Sequence, residues 1–248
     1  NSQFRIKGIY TLHEFNGHDY KAKFNARLNL PNLKNRINLT IDGEGNNVEN
    51  LIDNTLSDTE PDTEQVEAQR TSFGLQYIQS KAQDYGLSHR VTFKYDDGVQ
   101  TKFSTRFRFS YPVTTFSLIQ LTQLFFWEDL EGFGEETRLD YNYFITKKDL
   151  FRYTIKGLFA ENSAGYEWLT GGQLSHATTR NQAIATGLFF AGETRPENVL
   201  NRINLFIRYR TRFLKDWIFF EITPEVEWPR ERNYRSAGIL TMGLEFVL

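Results

Sequence analysis

The chain has 248 residues, with 29 Lys and Arg against 31 Asp and Glu, and its net charge of -2 singles out no partner. It has no Cys, which excludes a disulfide framework and a thiolate metal site. Mean hydropathy is -0.52 although 15% of residues are aromatic, and no run of roughly 18 apolar residues occurs, so a membrane helix is excluded.

Alternation of apolar and polar residues, the signature of a half-buried strand, begins at once. Phe4, Ile6, Gly8 and Tyr10 oppose Arg5 and Lys7, with Ile9 breaking the polar face. Tyr20 to Leu30 alternates with Lys21, Lys23, Asn25, Arg27 and Asn29. After the turn Leu30-Pro31-Asn32-Leu33, Ile37, Leu39 and Ile41 oppose Arg36, Asn38 and Thr40, which makes a hairpin. The stretch 42–68 is then rich in Asp and Glu without a single Lys or Arg, and is expected to be a long solvated loop. Its carboxylates lack the spacing of an EF-hand Ca²⁺ site.

Strands resume at Thr71 to Tyr77 and Leu87 to Tyr95, and Asp96-Asp97-Gly98 reads as a hairpin turn. Phe103, Phe107 and Phe109 oppose Lys102, Arg106 and Arg108, and Tyr111-Pro112-Val113 is expected to turn the chain into Thr115 to Trp127, where both faces are fairly apolar. Leu139 to Ile145 opposes Arg138, Asp140 and Asn142, and Phe151, Tyr153 and Ile155 oppose Arg152, Thr154 and Lys156. Two strands rich in Gly and Ala follow, near 167–177 and 182–192. Ile203, Leu205, Ile207 and Tyr209 oppose Arg202, Arg208, Arg210 and Arg212. Ile218 to Trp228 opposes Glu221, Glu225 and Glu227, with a bulge expected at Pro224. The terminal strand sets Leu240, Met242, Leu244, Phe246 and Leu248 against Thr241, Gly243 and Glu245.

This pattern predicts one all-β domain over 1–248, a closed antiparallel up-and-down barrel of about fourteen strands, twelve being the neighbouring even count. Low hydropathy with many aromatics and segregated faces suits a transmembrane barrel, whereas a soluble sheet protein would bury some strands on both faces. An even count returns both ends to one side. Connections on that side, near 31–32, 81–84, 112–113, 147–149, 179–180 and 214–216, are short, and those opposite include 42–68, 129–136, 193–199 and 229–236. Trp127, Trp168, Trp217 and Trp228 fall at strand ends, as aromatic girdles require.

The spacing of Thr241, Gly243, Phe246 and Leu248 resembles the C-terminal insertion signal of Gram-negative outer-membrane β-barrels, with Leu248 in place of the usual terminal aromatic. The tail from Trp217 through Trp228-Pro229-Arg230-Glu231 to Leu248 also looks like that of proteobacterial outer-membrane proteins of unassigned function. The resemblance implies an outer-membrane location, contact with lipid and lipopolysaccharide, and the barrel assembly machinery as partner during insertion. No leader is visible at Asn1, so an exported chain is expected here in its mature form.

With apolar faces on lipid, the other faces line a lumen. Its basic candidates are Lys21, Lys23, Arg27, Lys34, Arg36, Arg90, Lys94, Lys102, Arg106, Arg108, Arg138, Arg152, Lys156, Arg202, Arg208, Arg210 and Arg212. Its acidic candidates include Asp42, Asp140, Glu221, Glu225, Glu227 and Glu245. Rings of Arg and Lys favour anions in a pore. The run Arg208, Arg210 and Arg212 beside Glu221, Glu225 and Glu227 is equally expected to form a salt-bridged wall. Lys and Arg of 21–36 and 102–108 have no such facing acids in the sequence and are the stronger selectivity candidates.

His13, His18, His89 and His176 have no metal-ligand spacing, no Gly-x-Ser-x-Gly occurs, and no glycine-rich phosphate loop is present, so no catalytic residue, cofactor or metal is expected. Basic residues on alternating strand faces give no nucleic-acid surface. Two functions remain: a porin-like channel with a basic lumen for anionic or small polar solutes, or a non-conducting barrel that anchors a larger envelope assembly. In the second, a loop, a periplasmic protein or a lipoprotein fills the lumen.

Overall fold

The computed structural model describes residues 3–29, 37–43, 71–82, 84–95, 98–130, 132–163 and 165–248. They form β1 (Gln3–His13), β2 (Gly17–Asn29), β3 (Ile37–Gly43), β4 (Thr71–Lys81), β5 (Tyr85–Tyr95), β6 (Val99–Thr114) and β7 (Ser117–Glu128). The second half is β8 (Gly132–Phe144), β9 (Asp149–Ala160), β10 (Glu167–Ala177), β11 (Gln182–Glu193), β12 (Val199–Arg212), β13 (Ile218–Pro229) and β14 (Ala237–Val247). Each strand pairs antiparallel with its sequence neighbours, and β14 pairs with β1, so the fourteen strands close into an up-and-down barrel. No described helix is long and apolar enough to cross a membrane. The turn at 30–36, the acidic segment from 44 to 68 and Asp96-Asp97 lie outside the described residues, and with them Lys34 and Arg36.

Closure works because each strand alternates. Along β13, Ile218, Phe220, Ile222, Pro224, Val226 and Trp228 point outward, and Glu221, Thr223, Glu225 and Glu227 point inward. The same division runs round the sheet, so large apolar side chains such as Phe73, Phe93, Phe103, Tyr153 and Ile207 are exposed while Arg90, Lys94, Asp140 and Lys156 are buried. The exterior is apolar and the interior polar, the reverse of a soluble domain. Trp127 and Trp217 are exposed on the outer face, and Trp168 and Trp228 share that face near the opposite end from Trp217. The aromatic girdles expected from the sequence are therefore present.

Three local expectations change. The turn after β6 lies at 115–116, beyond Pro112, because the Thr114 hydroxyl takes the Phe116 N–H (3.1 Å) and meets the Ser117 hydroxyl at 2.8 Å. Pro112 is carried near the strand end, where the register shifts before Thr114. Pro224 makes no bulge. It stays in register with Leu240 of β14, and its missing N–H falls on the β12 side, where the ladder skips from Phe206 to Tyr209.

The third change concerns the strands that looked weak or apolar on both faces. Inward-facing Leu169, Phe189, Ala185, Ala191 and Phe206 of β10–β12 pack together, and Phe126 of β7 is also buried. Each ring lies flat on a glycine directly across the ladder: Phe189 on Gly171, Phe206 on Gly187 and Phe126 on Gly134. Glycines in β10 and β11 thus make room for rings on the wall.

A Cβ at Gly171 would sit 2.3 Å from the Leu188 carbonyl oxygen and 2.5 Å from the Phe189 ring, whereas one at the outward Gly8 would meet nothing within 4 Å. Gly171→Ala is expected to cost roughly 1–3 kcal/mol. Gly8→Ala should stay within about 0.5 kcal/mol. Urea titration of the heat-modifiable folded form in vesicles measures both; equal midpoints would contradict the packing.

Candidate functional site

The inner wall carries the chemistry. A network crosses the seam where the last strand meets the first. Glu221 of β13 receives Lys7 of β1 (3.5 Å), Arg208 (3.7 Å) and Arg210 (3.6 Å) of β12. Glu245 of β14 receives Arg210 at 2.6 Å and Arg5 at 3.6 Å. Lys7 reaches Glu221 by passing over Gly243, where a Cβ would stand 3.1 Å from its Cε. Further along the same wall, Arg202 faces Glu227 at 3.8 Å and Asn204 donates to Glu225 at 2.9 Å.

The opposite wall repeats the arrangement with fewer acids. Glu128 sits between Lys94 (2.6 Å) and Lys102 (3.5 Å), and Lys102 also lies 4.4 Å from the centre of the Phe126 ring. Arg90 reaches across Gly74 to donate to the Thr40 hydroxyl at 2.7 Å. Arg27 donates to Gln76 at 3.3 Å, which also accepts from Asn38. Asp140 accepts from Arg138 (2.8 Å) and Thr154 (2.6 Å), Lys156 faces Glu136 at 2.9 Å, and Arg152 donates to Asn142 at 2.8 Å. In most of these contacts the long side chain runs around the wall to a neighbouring or next-but-one strand. Small residues beneath, Gly74 and Gly243 among them, let it lie flat.

The expected salt-bridged wall between β12 and β13 is present, but Arg212 is not part of it. Its register partner is Phe219, and its guanidinium faces Asp216 at 3.7 Å instead. The reading of 21–36 and 102–108 as lacking facing acids does not hold at two described positions. Lys102 has Glu128 and Lys21 faces Asp19 at 3.5 Å, while Arg27 meets the neutral Gln76. Lys23, Arg106 and Arg108 face inward and interact with their surroundings as well. Sequence reasoning also missed Arg5 and Lys7 as lumen residues. Their partners lie more than two hundred positions away, and only pairing the first strand with the last would have found them.

Thr241 and Gly243 face inward on β14, while Phe246 and Leu248 face outward. Leu248 and Phe4 exchange backbone hydrogen bonds (2.8 and 2.9 Å), so this strand closes the barrel. His18 and Asp19 point to opposite faces, His18 among the rings of Tyr10 and Tyr20 and Asp19 toward Lys21, which prevents them from acting as a dyad. Among the described residues no group of three His, Asp or Glu could hold a metal.

A closed antiparallel barrel with an apolar exterior and a charged inner wall defines the transmembrane β-barrel class of fold. No protein-family model matches the sequence, and no curated protein matches it. Solved structures match over its whole length. A bacterial polysaccharide outer membrane secretin shares 10% identity over 99% of this chain and 97% of that one, with a TM-score of 0.58. A loop L8 deletion mutant of OmpT, an outer membrane protein of Vibrio cholerae, shares 8% over 100% and 98%, with a TM-score of 0.57. The monoaromatic hydrocarbon channel CymD shares 6% over 99% and 87%, with a TM-score of 0.56. Common to them is the barrel.

Glu221→Gln would leave Lys7, Arg208 and Arg210 around a neutral amide, with an expected loss of roughly 1–3 kcal/mol. Because Glu221 and Glu245 share Arg210, the double variant Glu221→Gln/Glu245→Gln should depart from the sum of the single changes by about 0.5 kcal/mol or more. Urea midpoints of the four proteins give the coupling; strict additivity would show that the contacts are independent.

Proposed function

We propose that the protein is an outer-membrane barrel of a Gram-negative bacterium that works as a porin-like channel for small polar solutes, with a preference for anions. The observation that carries this is the sign of the inner wall. Lys and Arg project inward from β1, β2, β5, β6, β8, β9 and β12, and they outnumber the inward carboxylates among the described residues. A positive wall in a low-dielectric cylinder attracts anions and repels cations. Fourteen strands enclose more than ordinary side chains fill, since about eight is the count at which they fill a barrel. Side chains laid along the wall add to that width. The neighbours in fold include one named as a channel, and at 6–10% identity they support the barrel and not a solute.

Location rests on the apolar exterior with its girdles, which suits lipid and lipopolysaccharide. In this reading the barrel assembly machinery takes hold of β14 through Thr241, Gly243, Phe246 and Leu248 before it pairs with β1. A second reading, a non-conducting anchor for an envelope assembly, is favoured by the ion-paired seam from β12 to β1, which stiffens the wall and offsets charge there.

Planar-bilayer recording of the purified protein across a salt gradient tests the channel. The expected result is steady conductance with a reversal potential of anionic sign, moved toward zero in Arg106→Gln/Arg108→Gln. A folded, heat-modifiable barrel that is electrically silent and copurifies with a stoichiometric periplasmic protein or lipoprotein would overturn the channel in favour of the anchor.

A further inference from the structure

The outer face is not uniformly apolar. On β12–β14 the mid-strand outward positions are Leu205, Ile207, Ile222, Leu240, Met242 and Leu244. On β5–β8 the corresponding positions are His89, Thr105, Gln123 and Thr137. Each lies close to the middle of its strand, so the four form a polar row at one depth around a quarter of the barrel. His89 meets the Thr105 hydroxyl at 3.0 Å and Gln79 at 2.9 Å, and Thr137 donates to the Gln123 carbonyl oxygen at 2.5 Å. With that oxygen taken, the Gln123 amide N–H groups have no partner among the described residues.

Resting on the outer-membrane reading, we infer that this row is the contact face for a second copy of the chain, forming a two-fold dimer about an axis along the membrane normal. Acyl chains accept no hydrogen bonds, so a polar row at mid-depth is unfavourable unless another membrane-embedded protein covers it. A soluble partner cannot reach that depth. A copy inserted in the same orientation brings its own row to the same height, where a two-fold axis sets like against like. Primary amides, hydroxyls and imidazoles both donate and accept, so the row complements itself without any charge. Exposed Phe103, Phe125 and Tyr141 beside the row supply the apolar surround of such an interface.

The test measures the mass of the purified barrel in lipid nanodiscs for the wild type and for Gln123→Leu/Thr137→Val. The wild type is expected at twice the 29.1 kDa chain mass, with loss of the dimer in the variant. Retained heat-modifiability of the variant keeps misfolding apart from loss of contact. Because the chain has no Cys, Gln123→Cys in native membranes treated with a membrane-permeant thiol oxidant should form a disulfide-linked dimer while Leu244→Cys on the far face should not. A monomeric wild type, a dimer that survives in the double variant, or equal cross-linking at both sites would overturn the dimer. Failure of the outer-membrane reading is distinct: the chain would then be absent from outer-membrane fractions and would form no heat-modifiable barrel.

Discussion

Everything in this molecule depends on backbone hydrogen bonding that leaves no edge. A sheet in contact with lipid has no water to satisfy its outermost N–H and C=O groups, so it must return to its own first strand. Here that return is made by β14 and β1, whose pairing runs from Arg5 opposite Val247 to His13 opposite Ile239. Side-chain chemistry then reinforces the same seam, because two inward acids, Glu221 and Glu245, collect cations from β12 and β1 together. Local pairing between sequence neighbours builds the wall, and one contact between the chain's most distant segments makes it a cylinder.

Inside that cylinder, charge is arranged by reach. Lys and Arg are long enough to cross one inter-strand spacing of about 4.8 Å and meet, over the middle strand, an acceptor reaching back from the strand beyond. Where the strand between is small at the crossing point, the cation lies against the wall and meets an acceptor on the far side. Lys7 over Gly243 and Arg90 over Gly74 are the clearest cases. The flat side chains keep their charge at the wall, and the inward Lys and Arg come from many strands.

Much of this was legible in the sequence. Alternation on Tyr20–Leu30, Phe103–Tyr111 and Ile203–Tyr209 gave the strands and their faces, and parity gave the shared end. The places that resisted, 115–127 and 167–192, resisted for a physical reason. There the inner face carries Phe126, Leu169 and Phe189, so two-residue periodicity in polarity disappears although periodicity in position does not. Only the cross-strand register shows that a glycine waits under each ring. Ion pairing was half legible. Arg208 and Arg210 with Glu221 follow from neighbouring strands, whereas Lys94 with Glu128 and Lys7 with Glu221 depend on registers one strand further away. Pro224 misled because a missing N–H was equated with a bulge, when the ladder simply omits one set of bonds.

The ring-on-glycine pairs have a consequence for how such a chain can change over generations. Phe206 and Gly187 occupy one shared volume, as do Phe189 with Gly171 and Phe126 with Gly134. Enlarging the glycine without shrinking the ring forces a clash, and shrinking the ring alone leaves a hollow over bare backbone. Each pair is therefore inherited as a unit, with substitutions arriving on both strands or on neither. Descendants of this barrel should carry the imprint of that coupling as joint changes at register partners across a hairpin, near its turn for Phe126 and Gly134 and far from it for the other two pairs.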